Sequence, residues 1–362
     1  MARKGGLLQQ PARVATLDFA MQIKSFASDN NSGACTEVME ALIAANEGHA
    51  LGYGEDRWTE RALAAFKKEF GPESETFFVL NGTGANVLAL SLAAGPGLSV
   101  LCSDTAHISI DETGAPEAAL GCKIKTVESS RGKVLPSGLA EGLECLGFIH
   151  QSQPSCLSLS QPTELGTLYD PKEMAELADI AHRAGLLVHI DGARLANAAA
   201  AFGLSFREAC EGADLLSFGG MKNGVAFGEA VVVLKRALAA RAPCLRKTRT
   251  QLASKMRFIS AQYEAYLRPS VWQRNALAAN AAAARLAAAA CAIGGIELAF
   301  PPQTNAVFAR MPKAAAELAR AKSFFYDWEG GLQRWVASFD TVNADVDAFA
   351  AILRESMLEP AR

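Results

Sequence analysis

Residues 215–224 read Leu-Leu-Ser-Phe-Gly-Gly-Met-Lys-Asn-Gly, a lysine set in a glycine-rich turn directly after an apolar run. Lysine is almost never fully buried without a partner, and glycines on either side let the backbone approach a ligand closely. Enclosed in such a place, Lys222 would give up its proton more easily than in water and act as a nucleophile toward carbonyl groups. A surface lysine in a turn would leave the same local trace. A second segment, Val188-His189-Ile190-Asp191-Gly192-Ala193-Arg194, ends a strand on an acid and follows it with an arginine three residues on. A carboxylate there can keep a pyridine nitrogen protonated, which makes the ring an electron sink. The plainer reading of Asp191 is a helix N-cap, which leaves Arg194 without a role.

Two further segments carry weaker signals. Leu80-Asn81-Gly82-Thr83-Gly84-Ala85-Asn86 passes from a strand end through a short glycine turn into a helix expected over residues 85–94. Free N–H groups at a helix N-terminus attract anions, so a phosphate belongs at this turn. It has neither the lysine of a Walker loop nor the G-x-G-x-x-G fingerprint, and many such turns bind nothing. Thr105-Ala106-His107 places an imidazole soon after another strand end, suited to stacking or proton transfer. A lone histidine is more often structural.

These segments need a scaffold that gathers strand ends. Between residues 76 and 235, short apolar runs at 76–80, 99–103, 157–160, 186–191, 214–219 and 230–234 alternate with longer helical patterns. That alternation predicts an α/β fold, a mainly parallel sheet wrapped by helices and buried on both faces. Asp170, Pro171 and Glu173 make a good helix start. The helix runs to Gly185 and a strand follows at once, so Asp191 falls at a strand's C-terminal end, where open α/β sheets place their ligands. Beyond residue 235 the pattern predicts long helices over 235–267 and 271–292, strands at 305–310 and 334–339, and a helix over 344–358. The expected organisation is an N-terminal arm (1–25), a large domain (26–267) and a smaller α+β domain (268–362).

Composition excludes several classes. The 362 residues are half apolar, and 35 basic against 38 acidic side chains leave a net charge of −3. No strong field is directed at nucleic acid or anionic lipid. The apolar runs are too short for a bilayer span and no signal-peptide core follows the N-terminus, so the expected location is cytoplasmic. Eight cysteines show no C-x-x-C pair and no histidine at metal-ligand spacing. Most are expected to be buried small hydrophobes, with no metal site.

Taken in this order the segments resemble the threonine aldolases, most closely the low-specificity L-threonine aldolases among pyridoxal phosphate enzymes of fold type I. The resemblance also takes in Phe26-Ala27-Ser28-Asp29-Asn30, Tyr53-Gly54-Glu55-Asp56, Gln251-Leu252-Ala253-Ser254-Lys255-Met256-Arg257 and Arg334-Trp335-Val336-Ala337-Ser338-Phe339-Asp340. It implies that Lys222 carries the cofactor as a Schiff base, that Asp191 binds the pyridine nitrogen, and that Gly82 and Thr83 hold the phosphate. His107 would stack on the ring. Arg194 would sit by the phenolic oxygen and the substrate carboxylate, with Ser28 and Arg334 also on that carboxylate. Arg257 would reach the phosphate of a neighbouring subunit and Tyr53 would lie near the shared site, which implies a homodimer or homotetramer. The implied reaction is aldol cleavage of a β-hydroxy-α-amino acid to glycine and an aldehyde. One departure is Glu164, which stands where many members have a histidine, so the base is His107, Glu164 or water. The rival readings are a β-eliminating lyase or amino acid racemase of the same fold, and a catalytically silent scaffold.

Overall fold

The protein is described here by a computed structural model covering residues 24–358, so the expected arm falls almost wholly outside the described residues. The main sheet contains β1 (Glu75–Val79), β2 (Leu98–Cys102) and β3 (Lys123–Thr126). A small hairpin of β4 (Ser129–Ser130) and β5 (Lys133–Val134) interrupts it. The sheet resumes with β6 (Gln153–Ser160), β7 (Leu187–Gly192), β8 (Leu215–Phe218) and β9 (Glu229–Val233), in the spatial order β1-β9-β8-β7-β6-β2-β3. β3, β2, β6, β7 and β8 pair in parallel, while β9 lies antiparallel between β8 and β1. Because β9 opposes both neighbours, β1 points the same way as the parallel set. The C-terminal ends of all strands but β9 therefore share one edge.

The apolar runs become strands because helices cover both faces. β8 and β9 are buried at every position, which suits β-branched and aromatic residues. On one face the helix Gly82–Ser91 packs Ala85, Leu88 and Ala89 against Leu215, Val231 and Val233. The connection from β1 to β2 thus crosses the middle of the sheet, with the helix N-terminus at the shared edge. On the other face Phe66, Phe70, Phe206 and Tyr263 gather around Phe218. The helix Pro171–Arg183 starts as its sequence requires: Asp170 accepts the Glu173 N–H and Glu173 accepts the Asp170 N–H, a reciprocal cap of a kind that contributes about 1 kcal/mol.

A second, antiparallel sheet of β10 (Glu297–Leu298), β11 (Ala306–Arg310), β12 (Tyr326–Trp328) and β13 (Leu332–Val336) has the order β10-β11-β13-β12. Helices Val271–Cys291 and Asn343–Leu358 cover it through Leu286, Val307, Trp335 and Phe349.

Two expected elements are corrected. The helix expected from residue 85 begins at Gly82. The long helix expected over 235–267 is broken into a 3-10 turn Arg236–Arg241, a helix Ala242–Thr248 and a helix Arg257–Tyr266, with Thr250 at φ +60° between the last two. The break has a tertiary cause: Gln251 Oε1 accepts the Leu80 N–H at 3.0 Å and the Ser254 carbonyl accepts the Tyr53 N–H at 2.8 Å. Bonds to two other loops outweigh helix propensities of a few tenths of a kcal/mol per residue. Six cysteines are buried, Cys244 and Cys291 are exposed, and all eight are free thiols. Among the described residues no helix is long and apolar enough to cross a membrane.

Candidate active site

The strand ends on the shared edge surround a cleft of about 570 Å3. At one end stands the N-terminus of the helix Gly82–Ser91. Asn81 caps it by accepting the Gly84 N–H at 2.8 Å, and the Ala85 N–H turns back to the Asn81 carbonyl at 3.0 Å. The N–H groups of Gly82 and Thr83, like those of any first turn, have no acceptor among the described residues, and both residues line the cleft.

Asp191 lies near the end of β7, opposite Ser160 of β6 and Ser217 of β8. Its Oδ2 accepts Asn86 Nδ2 at 2.8 Å and its Oδ1 accepts the Ala193 N–H at 3.0 Å. Burial pushes the carboxyl up, but the Asn86 hydrogen bond and the charges of Lys222, His189 and His107 outweigh it, so Asp191 sits below its usual value. It is no helix cap, since the next helix starts at Leu195 with no side-chain cap.

Lys222 occupies a short 3-10 turn, Met221–Asn223, in the loop from β8 to β9. A Cβ at Gly219 would lie 2.6 Å from the Ala193 carbonyl oxygen, and Gly224 has φ +106°. These glycines serve close approach to the chain's own backbone and a left-handed turn, rather than a ligand. Asn223 anchors the turn, donating from Nδ2 to Tyr266 Oη at 2.8 Å and to the Trp272 carbonyl at 3.0 Å. Lys222 lines the cleft, and its Nζ has no hydrogen-bond or ion-pair partner among the described residues. Burial and then the Arg194 cation push its pKa down, against Asp29, Asp191 and Glu229.

His107 Nδ1 bonds Glu112 Oε1 at 2.9 Å, and the same oxygen accepts Asn86 Nδ2 at 2.8 Å. His107, Glu112, Asn86 and Asp191 thus form one continuous chain. The Glu112 hydrogen bond raises the His107 pKa against the opposing effect of burial. Sequence reasoning singled out neither Asn86 nor Glu112. The signal for Asn86 was an amide inside Ala-Asn-Val-Leu-Ala-Leu, a run otherwise wholly apolar.

Arg194 uses Nε and Nη2 to grip Asp29 at 2.6 and 2.8 Å, the bidentate arrangement in which guanidinium meets carboxylate best. Burial pushes Asp29 up, but Arg194, together with the Lys222 charge and the Asn305 hydrogen bond, outweighs it, so Asp29 lies below its usual value. Two of the Arg194 donors expected for an incoming carboxylate are therefore already engaged. Ser28 Oγ accepts the Asn30 N–H at 3.2 Å, capping the turn that presents Asp29. Arg334, on β13, stands differently. Its Nη2 donates to the Ala27 carbonyl at 3.3 Å, its buried Nε has no partner among the described residues, and the guanidinium lies 4.6 Å from the centre of the Trp328 ring and 5.5 Å from that of Tyr326. Arg334, Arg194 and Glu164 meet around a smaller pocket of about 240 Å3, which shares Thr163, Glu164 and Arg194 with the cleft. Glu164 Oε1 accepts from Ser160 Oγ at 2.7 Å and from the His107 N–H at 2.9 Å, while buried Oε2 has no partner among the described residues. Burial raises its pKa.

Tyr53 and Arg257 are not brought to this cleft within the chain. Tyr53 is exposed at φ +62°, and Arg257 donates to the Gly48 carbonyl at 3.0 Å. The cleft as built presents a pair of free N–H groups to an anion, an ionised carboxylate to a protonated ring nitrogen, and an unpartnered amine to a carbonyl. Pyridoxal phosphate makes those three demands together, so the residues fit it.

The comparisons with known proteins agree in kind. The family described as beta-eliminating lyase matches residues 25–314. Over 341 residues the chain is 42% identical to the low specificity L-threonine aldolase of Pseudomonas sp. (strain NCIMB 10558), covering 93% of this chain and 99% of that one. The protein of the same description in Pseudomonas aeruginosa is 39% identical over 340 residues, 92% of this chain and 97% of that one. Among solved structures, the threonine aldolase of Leishmania major superposes with a TM-score of 0.87 at 27% identity, over 92% of this chain and 99% of that chain.

Proposed function

The chain belongs to the beta-eliminating lyase family, among its low-specificity L-threonine aldolases, and from that premise we propose that it cleaves β-hydroxy-α-amino acids of the L-threonine, L-allo-threonine or phenylserine type to glycine and an aldehyde, with pyridoxal phosphate as cofactor. Bound in the cleft, the cofactor supplies an aldehyde for amine capture and a protonated ring that accepts the electron pair of the breaking Cα–Cβ bond.

The chain's own residues supply the rest. Lys222 would hold the aldehyde covalently, the N–H groups of Gly82 and Thr83 would bind the phosphate, and His107 would lie against the ring. Asp191 would keep the ring nitrogen protonated, with Asn86 holding the carboxylate ionised and in place. Arg334 has free donors and no anionic partner among the described residues, so it would take the substrate carboxylate and fix the Cα–Cβ bond across the ring plane. Arg194 would contribute its remaining Nη1 toward the phenolic oxygen, with Ser28 beside it. Glu164 Oε2, unpartnered and made more basic by burial, is the group assigned to take the β-hydroxyl proton.

Tyr53 and Arg257 would complete the site of a neighbouring copy in a homodimer or homotetramer. The helix Thr36–Ala45 and the loop after it, which carries Tyr53, expose Met39, Ile43 and Leu51, the kind of apolar surface that association covers. A large domain ending near residue 267 and a cytoplasmic location, consistent with eight free thiols, complete the reading.

The observation that carries it is the unpartnered Lys222 amine in the same cleft as the Asp191–Asn86 pair and the free N–H groups of Gly82 and Thr83. The test is product analysis with L-threonine and added pyridoxal phosphate. Glycine and acetaldehyde in equal amounts are expected, and benzaldehyde from phenylserine. A 2-oxo acid with ammonia, or loss of optical activity without cleavage, would replace aldol cleavage by elimination or racemisation.

A further inference from the structure

Glu229 opens β9 and lines the cleft, yet no step above uses it. It is buried, and Ala230, Val231, Val232 and Val233 follow it as the core of a strand. Its Oε2 accepts the Gly220 N–H at 2.8 Å and lies 2.9 Å from Tyr263 Oη, which in turn lies 3.0 Å from the Gly228 carbonyl. Tyrosine has a single hydroxyl hydrogen, and here two acceptors compete for it. A second proton resolves the count. With Glu229 protonated, its O–H donates to Tyr263 Oη and the tyrosine hydrogen goes to Gly228. With Glu229 ionised, the tyrosine hydrogen turns to the carboxylate and the Gly228 carbonyl is left alone. The arrangement has two settings that differ by one proton.

The loop that carries Lys222 is tied to this device, since Gly220 holds Glu229 and Lys222 follows two residues later. We propose that Glu229 is the proton store of Lys222: it takes the proton that the ammonium loses in becoming a nucleophile and returns it when the amine is recharged. Lys222 and Glu229 line the same cleft with no hydrogen bond between them, so the proton leaves Nζ to water in the cleft and another enters a carboxylate oxygen; ammonium and carboxylate become amine and carboxylic acid, and the net charge of the cleft is unchanged. Glu229 acts through Lys222 and is a positioning residue in that sense. The inference rests on Lys222 being the reactive amine.

The electrostatics agree. Burial raises Glu229 to about 7, with the Gly220 and Tyr263 hydrogen bonds and Lys222 opposing and Asp191 reinforcing. Tyr263 and Tyr266, on the helix Arg257–Tyr266 packed behind it, are pushed far up, first by burial, and stay neutral. Lys222 in turn feels Arg194 from one side and Asp29, Asp191 and Glu229 from others.

Glu229→Gln keeps the side-chain size and an acceptor for Gly220 but cannot take a proton. In the full-length protein freed of cofactor, labelling of Lys222 by dinitrofluorobenzene, located by peptide mass, is followed against pH. The wild-type profile should rise in two steps, the lower near the titration of Glu229. Glu229→Gln should rise in one step, about one pH unit below the upper wild-type step because the anion that favoured the ammonium is gone, so labelling between the two wild-type steps is roughly tenfold faster. Glu229→Asp should restore two steps. Superimposable profiles for wild type and Glu229→Gln would make Glu229 a mere loop anchor and overturn the proposal. Should Glu229→Gln fail to fold, the infrared band of a protonated carboxyl in the wild type decides. Its loss between roughly pH 6 and pH 8, retained in Glu164→Gln, supports the store, and its absence overturns it. An enzyme that gave a 2-oxo acid in the product assay would leave these profiles intact, so the two failures are distinguishable.

Discussion

Replacing Asn86 by alanine removes an amide whose Nδ2 donates to Asp191 Oδ2 and to Glu112 Oε1, each at 2.8 Å. Asn86 is 3% exposed, so bulk water does not take its place. A hydrogen bond to a charged group contributes about 1.5–3 kcal/mol, and one pKa unit corresponds to about 1.4 kcal/mol. Losing it should raise Asp191 by roughly one to two units, because burial already pushes that carboxyl up and the Ala193 N–H and the charges of Lys222, His189 and His107 are left to oppose it. In the role proposed for Asp191 the ring nitrogen needs the ionised carboxylate, so the acid limb of the activity profile should move to higher pH by the same roughly one to two units, with a smaller change on the alkaline plateau. Stability gives an independent reading. A depressed carboxyl pKa contributes stability above the unfolded value near 4, lost as pH falls through the folded pKa. Asn86→Ala should therefore melt lower than wild type at neutral pH, with the gap narrowing as pH falls below about 4. The assay is threonine cleavage across pH at saturating cofactor, with bound cofactor counted at each point. An unmoved acid limb in a variant that keeps its cofactor would show that Asn86 does not hold the Asp191 charge.

Lys222→Ala should lose nearly all turnover and the cofactor adduct fixed by borohydride; an adduct mapped to another lysine would reassign the amine. Arg334→Lys keeps a cation but loses the planar fork, so amino acid binding should weaken by about tenfold or more while cofactor content stays unchanged. Unaltered binding in a glycine titration would place the carboxylate elsewhere. Gly219→Ala would put a methyl 2.6 Å from the Ala193 carbonyl oxygen, and overpacking of this kind costs about 1–3 kcal/mol. A wild-type urea midpoint would refute the close approach.

The strands of the main sheet were legible because runs such as Ala230–Val233 are buried on both faces and need no polar alternation. Lys222 and Asp191 stood out for the opposite reason, as charged residues where such runs stop. Asn86 was missed because a polar residue in a helical pattern reads as solvent-facing, and only the packing of the helix Gly82–Ser91 between sheet and neighbours turns it inward; Glu112 was missed because it stands in the turn between the helices His107–Ile110 and Ala115–Leu120, with no regular pattern around it. Glu229 was passed over as the polar start of a strand. Asp29 was quoted only as part of a motif, since a pair formed with Arg194 across 165 positions leaves no local pattern. The broken helix over 235–267 was illegible at the break itself: residues 249–256 contain no glycine or proline, and the interruption comes from what Gln251 and Ser254 bind on other loops.

β9 runs against the other strands of the main sheet, so residues 219–228 return at once into a neighbouring strand instead of departing through a crossover helix. The loop is fastened along its length: the Gly219 N–H to the Gly192 carbonyl at 3.1 Å, the Val225 N–H to the Gly220 carbonyl at 3.1 Å, and Gly220 again to Glu229. A mount with so little slack leaves the amine only the swing of its own methylene arm. An inserted or deleted residue in 219–228 would throw the Lys222 amine out of aim. Attempts to widen the range of aldehydes should therefore leave the hairpin alone.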